Sequence, residues 1–288
     1  MIKSGEIQHY NSYAKINLGL NVLNKRKDGY HNLHSLFVEI ELTDELLFTP
    51  SEMYQLTVEG DQTTDLPLDE NNLITQAYQL IRDKIENVQT EYAIHLNKRI
   101  PMGSGLGGSS SNAATTLTAL NRLWELNLPQ RTLENTGSKI GADVPFFIRG
   151  GIQFVEGIGD ILTPMDSDLL KECYFFLVIP PIHISTPWAY GALNKTLQPD
   201  KSHPKFSPLS KPMKWELFDN DFERVIHEIY PEIGKIKTNL QKAGALYAGL
   251  SGSGSTVFGV FNNLKAAELT QGKFPQYQTF LTTPVFHS

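Results

Sequence analysis

The segment Pro101-Met102-Gly103-Ser104-Gly105-Leu106-Gly107-Gly108-Ser109-Ser110-Ser111-Asn112 places four glycines directly before a helical pattern. The apolar residues of that pattern recur at helical spacing: Ala113, Leu117, Leu120 and Trp124. Upstream, residues 92–96 alternate as a strand does. Glycine permits positive φ and close approach to backbone N–H groups, and the N-terminal end of a helix favours anions. The segment therefore predicts a phosphate-binding loop between a strand and a helix, with Ser109 to Asn112 capping the helix.

Two familiar phosphate motifs do not explain this loop. Gly103, Gly105 and Gly108 match the dinucleotide fingerprint G-x-G-x-x-G, but that motif needs a second strand with an acidic residue about 20 positions later. Here the helix and the turn at 126–129 occupy those positions. A P-loop is excluded because no Lys-Ser or Lys-Thr pair follows the glycines. Positive charge for the phosphates must therefore come from another part of the fold. The alternative to a phosphate-binding loop is a glycine-rich turn that binds no ligand.

Composition limits the class of protein. The chain has 288 residues, 40% of them hydrophobic and 19% charged, which is typical of a soluble globular protein of one large or two ordinary domains. A net charge of -6 gives no sign of a nucleic-acid surface. The single cysteine, Cys173, lies in an apolar run and excludes an intrachain disulfide. No signal-peptide or membrane-spanning pattern is visible. We expect a cytoplasmic protein that binds neither nucleic acid nor membrane.

The periodicity predicts an α+β protein of two domains, residues 1–155 and 156–288. A strand near the N-terminus places Lys15 and Asn17 side by side on one face. The second half follows the order β-α-β-β-α-β, which is the split, ferredoxin-like arrangement. The Pro-rich segment 198–214 is long and irregular, and its role is unknown.

Three features outside the first glycine segment could carry chemistry. Asp143, before the dipeptide Val144-Pro145, is a candidate general base on a turn where proline holds Val144 extended; the alternative is a capping aspartate. Lys15 could neutralise charge in a transition state, although most strand lysines face water. The cluster Gly249 to Ser255 could bind an anion or be a plain Gly/Ser hairpin. Patterns typical of zinc sites or serine hydrolases are absent from the sequence.

Taken together, five segments of this sequence resemble the GHMP kinase superfamily: 12–18, 28–31, 101–112, 141–147 and 249–255. The resemblance implies an N-terminal domain like domain 2 of ribosomal protein S5 and a ferredoxin-like C-terminal domain. Within the superfamily, the closest resemblance is to kinases of non-mevalonate isoprenoid biosynthesis. These transfer the γ-phosphoryl group of ATP to the 2-hydroxyl of a methylerythritol linked to cytidine diphosphate. ATP and Mg²⁺ are thus the implied cofactors, and a monomer or weak homodimer is expected.

The resemblance also implies residue roles. Lys15 and Asp143 would flank the acceptor hydroxyl, Asp143 as the base or orienting group and Lys15 as its positive partner. Tyr30 and Tyr190 would sandwich the cytosine, while His31 contacts its edge. The expected ATP-binding residues are Pro101, Met102, Gly103, Ser104, Gly105, Leu106, Gly107, Gly108, Ser109, Ser110 and Ser111. The other expected substrate-binding residues are Asn17, Thr186, Gly252 and Ser253. Whether Ser109 or Ser110 approaches magnesium stays open.

Three other functions make different demands on the sequence. A mevalonate- or homoserine-type kinase would have no need of the turn from Asp28 to His31. A nicotinamide oxidoreductase would need a ribose-binding carboxylate, and none is suitably placed. A nucleotide-binding module without catalysis would keep the glycine segment but have no use for Lys15 and Asp143.

Overall fold

The computed structural model describes residues 6–60, 63, 66–86, 88–166, 168, 170–194 and 213–287. Its strands are β1 (Gln8–Lys25), β2 (His31–Ser51), β3 (Gln55–Glu59), β4 (Glu91–Asn97), β5 (Ile152–Glu156), β6 (Ile161–Pro164), β7 (Tyr174–Ile179), β8 (Tyr247–Leu250), β9 (Val257–Phe261) and β10 (Gln278–Thr282). Its α-helices are α1 (Leu73–Arg82), α2 (Gly108–Leu123), α3 (Gln130–Gly137), α4 (Val144–Arg149), α5 (Thr186–Asn194), α6 (Glu223–Ile229), α7 (Pro231–Lys242) and α8 (Leu264–Thr270). The Pro-rich segment falls outside the described residues except at 213 and 214.

The chain forms two compact units that differ from a simple division along the sequence. The first unit comprises Met1–Ala14, Leu42–Met102 and Gly107–Gly150, and the second comprises Lys15–Glu41, Gly103–Leu106 and Gly151–Ser288. The long strands β1 and β2 therefore contribute residues to both units, and so does the first glycine segment. The domain boundary expected at residue 155 stays a prediction, because compact units of the structure need not coincide with domains that are continuous in sequence.

The first unit is built on β4, which pairs in parallel with β3 and antiparallel with the end of β2. Alternate residues of β4 are buried, as the sequence pattern predicts: Tyr92, Ile94 and Leu96. Helices α1 and α2 pack together over this face, and their apolar residues share its core.

Helix α2 begins differently from the prediction. Its N-cap is Gly107, with φ +73°, and the cap makes no side-chain hydrogen bond. The serines from Ser109 onward therefore lie inside the first turn, and the prediction that Ser109 to Asn112 cap the helix is wrong. The left-handed φ of Gly107, which glycine adopts without strain, sets the start of the helix two residues earlier.

The second unit confirms the ferredoxin-like arrangement. Its four-stranded antiparallel sheet has the order β10-β7-β9-β8, so the two central strands are the first and third of the motif. Every residue of β9 is buried, which explains why its sequence is continuously apolar. Apolar residues of α6 and α7 complete the core.

Two helices were missed by the sequence patterns. Helix α5 follows β7, and Pro187 lies in its first turn, where proline is tolerated. Helix α4 begins at Val144, so the expectation that Pro145 keeps Val144 extended is wrong: Pro145 lies in the first turn of that helix. Helix α3 ends at Gly137, before Gly141. No described helix is both long and apolar enough to cross a bilayer.

Candidate active site

Lys15 lies on β1 in the second unit and is only 4% exposed. Its ammonium group donates to Asn17 Oδ1 at 2.6 Å and to the carbonyl oxygen of Gly105 at 3.1 Å. Its backbone N–H donates to the Leu106 carbonyl oxygen at 2.9 Å, and its Nζ lies 4.9 Å from the centroid of the Phe37 ring. The structure thus fixes a buried cation against the first glycine segment.

Asn17 is held so that its carbonyl oxygen faces Lys15. Its Nδ2 donates to Ser35 Oγ at 3.1 Å, and the Ser35 hydroxyl donates to the Gly19 carbonyl oxygen at 2.7 Å. Because both amide atoms have fitting partners, the side chain has one preferred orientation. Ser35 is a supporting residue that the sequence did not reveal, since a serine in a strand carries no distinctive signal.

A second glycine segment, Gly249 to Ser255, reaches the same place at the junction of β8 and β9. Ser251 Oγ donates to the Gly105 carbonyl oxygen at 2.9 Å, and a Cβ at Gly105 (φ +82°) would overlap the Ser251 carbonyl oxygen. An ideal Cβ at Gly252 would lie 3.4 Å from Asn17 Oδ1 and 3.7 Å from Lys15 Nζ. The structure therefore brings Lys15, Asn17, Gly105 and Gly252 together within the second unit.

Other predicted residues of this unit make further contacts. The carbonyl oxygen of Ser104 accepts the Thr256 N–H at 3.1 Å, so the first glycine segment also contacts the residue that follows the second. Thr186 Oγ1 lies 2.9 Å from Ser253 Oγ. An ideal Cβ at Gly103 would lie 2.9 Å from His183 Nδ1, so a larger residue there would displace that ring.

The aromatic residues expected around a cytosine are only partly together. The rings of His31 and Tyr190 stack with centroids 5.3 Å apart and planes at 20°. Tyr190 also meets Phe222 edge-on, at 4.9 Å. Tyr30 is 62% exposed at the turn before β2. A sandwich of cytosine between Tyr30 and Tyr190 stays a prediction.

In the first unit, the start of α2 has the features of an anion site. Its first amides have no partner within the helix, and no side chain caps them. Ser109 is exposed, whereas Ser111 is buried with its hydroxyl 2.8 Å from Ser12 Oγ. An ideal Cβ at Gly108 would lie 3.0 Å from Lys98 Nζ, so that lysine lies under the helix start. The Ser109 hydroxyl is thus more accessible than that of Ser111. Of the neighbouring predicted residues, Pro101 is buried, while Met102 and Ser110 are partly exposed.

Asp143, also in the first unit, occupies the N-cap position of α4 and is partly exposed. Its side chain makes no hydrogen bond that caps the helix. The alternative considered from the sequence, a capping aspartate, is therefore wrong. Its backbone carbonyl oxygen accepts the Phe147 N–H at 3.4 Å. The convergence of Asp143 and Lys15 on one alcohol stays a prediction.

Among the described residues, no group of three or more histidines, cysteines, aspartates or glutamates could hold a metal ion.

Comparisons with known proteins show the family of this chain. A family model described as the GHMP kinases N-terminal domain matches residues 72–151, and one described as GHMP kinases C terminal matches 203–277. A protein of Chlorobium phaeobacteroides named 4-diphosphocytidyl-2-C-methyl-D-erythritol kinase is 40% identical over 291 residues, covering 96% of each chain. One of the same name from Thermodesulfovibrio yellowstonii is 40% identical over 279 residues, covering 92% of this chain and 94% of the relative.

Solved structures extend the likeness. A crystal structure of 4-(cytidine 5'-diphospho)-2C-methyl-D-erythritol kinase superposes with a TM-score of 0.79 at 28% identity, covering 97% of this chain and all of the other. Homoserine kinase from Cytophaga hutchinsonii gives a TM-score of 0.73 at 18% identity, covering 99% and 96%. The second likeness is one of fold alone. The α+β fold expected from the resemblance is confirmed.

Proposed function

Because this chain belongs to the GHMP kinases, and within them to the family of its 4-diphosphocytidyl-2-C-methyl-D-erythritol kinase relatives, we propose that it phosphorylates the 2-hydroxyl of 4-diphosphocytidyl-2-C-methyl-D-erythritol. ATP is the donor, and the reaction serves isoprenoid precursor synthesis. The observation that carries the proposal is the cluster of Lys15, Asn17, Gly105 and Gly252. It joins a buried cation to two glycine-rich segments, as transfer of a charged phosphoryl group requires.

In the proposed reaction, Asp143 and Lys15 act on the acceptor hydroxyl in different ways. The Asp143 carboxylate accepts the proton of the 2-hydroxyl as that oxygen attacks the γ-phosphorus, or orients the hydroxyl for attack. The bond between the γ-phosphorus and the bridging oxygen breaks, and ADP leaves with the electron pair. Lys15 stabilises the negative charge that develops on the acceptor oxygen and the transferred group.

The residues of the first glycine segment fit a nucleotide polyphosphate. The structure leaves the α2 amides uncapped and places glycines where any Cβ would meet Ser251 or His183. We assign ATP binding to residues 101–111. Mg²⁺, which neutralises phosphate charge, would be held mostly by phosphate oxygens, with the hydroxyl of Ser109 or Ser110 as its protein ligand.

The acceptor would be bound in two parts. Asn17, Thr186, Gly252 and Ser253 hold the methylerythritol diphosphate portion, and Tyr30, Tyr190 and His31 bind the cytosine by stacking and edge hydrogen bonds. We place the enzyme in the cytoplasm as a monomer or weak homodimer.

A panel of acceptors tests the substrate. ADP formation is measured with 4-diphosphocytidyl-2-C-methyl-D-erythritol, mevalonate and homoserine in parallel, and turnover is expected only with the first. Turnover of mevalonate or homoserine alone would establish the alternative, another GHMP small-molecule kinase.

The same assay tests the base. We expect Asp143→Asn to lower kcat by about 10²- to 10⁴-fold, because the amide cannot accept the proton. Asp160→Asn is the matched control, since Asp160 is an exposed turn residue whose carboxylate accepts the Ile158 N–H at 3.0 Å. Equal rates in the parent and Asp143→Asn would remove the assignment.

The cytosine site is tested by Tyr30→Ala, with Phe286→Ala as a control at another exposed aromatic residue. Loss of one stacking partner should raise the KM for the acceptor by about tenfold and leave the KM for ATP nearly unchanged. The reverse pattern would place Tyr30 at the ATP site instead.

A further inference from the structure

The segment Asp219-Asn220-Asp221 is fixed to the strand that carries Lys15 and Asn17. The Leu20 N–H donates to the Asp219 carbonyl oxygen at 2.7 Å, and the Asp221 N–H donates to the Leu20 carbonyl oxygen at 2.8 Å. The Val22 N–H donates to the Asp221 carboxylate at 2.8 Å. Three hydrogen bonds therefore hold this segment on β1, a few residues beyond Asn17.

The side chain of Asn220 reaches from that anchor to the second glycine segment. It is 2% exposed, and its Nδ2 donates to the carbonyl oxygens of Leu250 at 2.8 Å and Gly252 at 2.9 Å. Its Oδ1 accepts the Phe222 N–H at 3.0 Å. Two carbonyl partners require donors and an N–H partner requires an acceptor, so the amide orientation is determined.

Holding the Gly252 carbonyl also sets the direction of the next N–H. In a planar trans peptide the C=O and N–H groups point in opposite directions, so the Ser253 N–H points away from Asn220. Gly252 has φ +59°, a conformation that few other residues could share. Asn220 therefore controls how this peptide is presented next to Lys15 and Asn17.

Building on the proposed function, we propose that Asn220 is a positioning residue for catalysis. It sets the distance of Gly252 from Lys15 and Asn17, and it directs the Ser253 N–H toward an oxygen of the acceptor substrate. Asn220 acts through the glycine segment and does not itself touch the reacting atoms. Nothing in the sequence patterns singled it out.

The test compares Asn220→Ala with Asn121→Ala. Asn121, near the end of α2, also holds a loop through its side-chain amide. It donates to the Leu128 carbonyl oxygen at 3.2 Å and accepts the Leu128 N–H at 2.9 Å. We expect Asn220→Ala to lower kcat/KM for the acceptor by about 10- to 100-fold, because small displacements in a site cost that much. The KM for ATP should change by less than about threefold. Asn121→Ala should lower the melting temperature but leave both constants within about threefold.

Asn220→Asp separates orientation from packing. The carboxylate has the same shape but faces two carbonyl oxygens without a proton to donate, so at about pH 8 this variant should be no more active than Asn220→Ala. A buried carboxyl among acceptors is protonated more easily, and one O–H donor returns. The activity of Asn220→Asp relative to Asn220→Ala should therefore rise as the pH falls to about 6.

Two results would overturn the proposal. One is a loss in Asn220→Ala no greater than in Asn121→Ala. The other is an Asn220→Asp variant that exceeds Asn220→Ala equally at every pH, as a space-filling role predicts. If Asn220→Ala does not fold, Asn220→Ser, which keeps one hydroxyl donor, takes its place. All variants are compared on whichever acceptor of the panel is turned over, so failure of the cytidyl substrate is distinguished from failure of Asn220.

Discussion

Two buried lysines, one in each compact unit, have different partners. Lys98 has a side chain only 1% exposed, and its Nζ donates to the Asp44 carboxylate and to the Ile100 carbonyl oxygen, both at 2.6 Å. Burial lowers the pKa of Lys98, and Asp44 opposes that shift. Lys15 instead donates to an amide oxygen and a backbone carbonyl oxygen, beside two glycine segments.

Under the proposed function, Lys98 stabilises the fold and Lys15 acts on the substrate. The Asp44 carboxylate also accepts the N–H groups of Arg99 and Ile100, both at 2.7 Å, so the Lys98 pair orders the backbone just before the first glycine segment. The charge of Lys98 is matched by a carboxylate within the fold. Under the proposed function, the charge of Lys15 lies where the phosphoryl group is transferred.

The largest expected effect is on stability, from Lys98→Met. Removing the cation leaves Asp44 buried without its counter-ion, which costs about 3–5 kcal/mol in the free energy of unfolding. Urea denaturation measures the change. The double variant Lys98→Met with Asp44→Asn should recover much of the loss, because Asn still accepts the two N–H groups and carries no charge. A single variant within about 1 kcal/mol of the parent would contradict the structural role.

Lys15→Met tests the other lysine, for which we expect a larger effect on catalysis than on stability. We expect kcat to fall by about 10²- to 10³-fold, since a donor for developing charge is lost. The free energy of unfolding should fall by about 1–3 kcal/mol, because the buried oxygens of Asn17 and Gly105 each lose a donor. Steady-state kinetics and urea denaturation are run on the same preparation, with Lys27→Met as an exposed control. A stability loss that matches Lys98→Met would make the two lysines equivalent.

Local patterns predicted the strand that carries Lys15 and Asn17, and the order of elements in the second half. Alternation and apolar runs report burial directly, so they can be followed along the chain. The partners of Lys15 could not be found in this way. Gly105 is 90 positions away, and its link to Ser251 spans 146 positions. Such contacts depend on how the strands pair, which periodicity does not encode.

The N-cap of α2 could not be predicted from residue types either. Ser109 and its neighbours are strong capping residues by composition, but Gly107 takes the cap because its backbone is left-handed. The sequence gives the residue types that favour a helix start, and the path of the incoming chain selects among them.

A smaller effect is expected from Gly105→Ala, compared with Gly244→Ala. Both glycines have positive φ, +82° and +98°, but Gly244 has open space around its Cβ position, whereas at Gly105 the Ser251 carbonyl oxygen is in the way. Strain at positive φ costs about 1–3 kcal/mol at either site. Only Gly105→Ala should also push the two glycine segments apart and lower kcat/KM, by about tenfold. Equal catalytic losses in the two variants would show that backbone strain alone is responsible.

The smallest effect concerns a third buried charge, Glu39, which is 3% exposed. It accepts from His287 Nε2 at 2.5 Å and from the Gly151 N–H at 2.8 Å. The hydrogen bond from Glu39 raises the pKa of His287 above its ordinary value of about 6.5. A raised folded-state pKa means that the stabilisation is fully present below about pH 6.5 and is lost as the pH rises through the folded value.

His287→Gln should therefore lower the melting temperature more at about pH 5.5 than at about pH 8.5. The shift should be small, because the His287 side chain is 52% exposed and solvent screens the pair. His9→Gln is the control: its pair with Glu45, at 2.9 Å, has both side chains exposed, so the same change should have little effect at either pH. An equal penalty for His287→Gln at the two pH values would mean that the neutral ring already makes the contact.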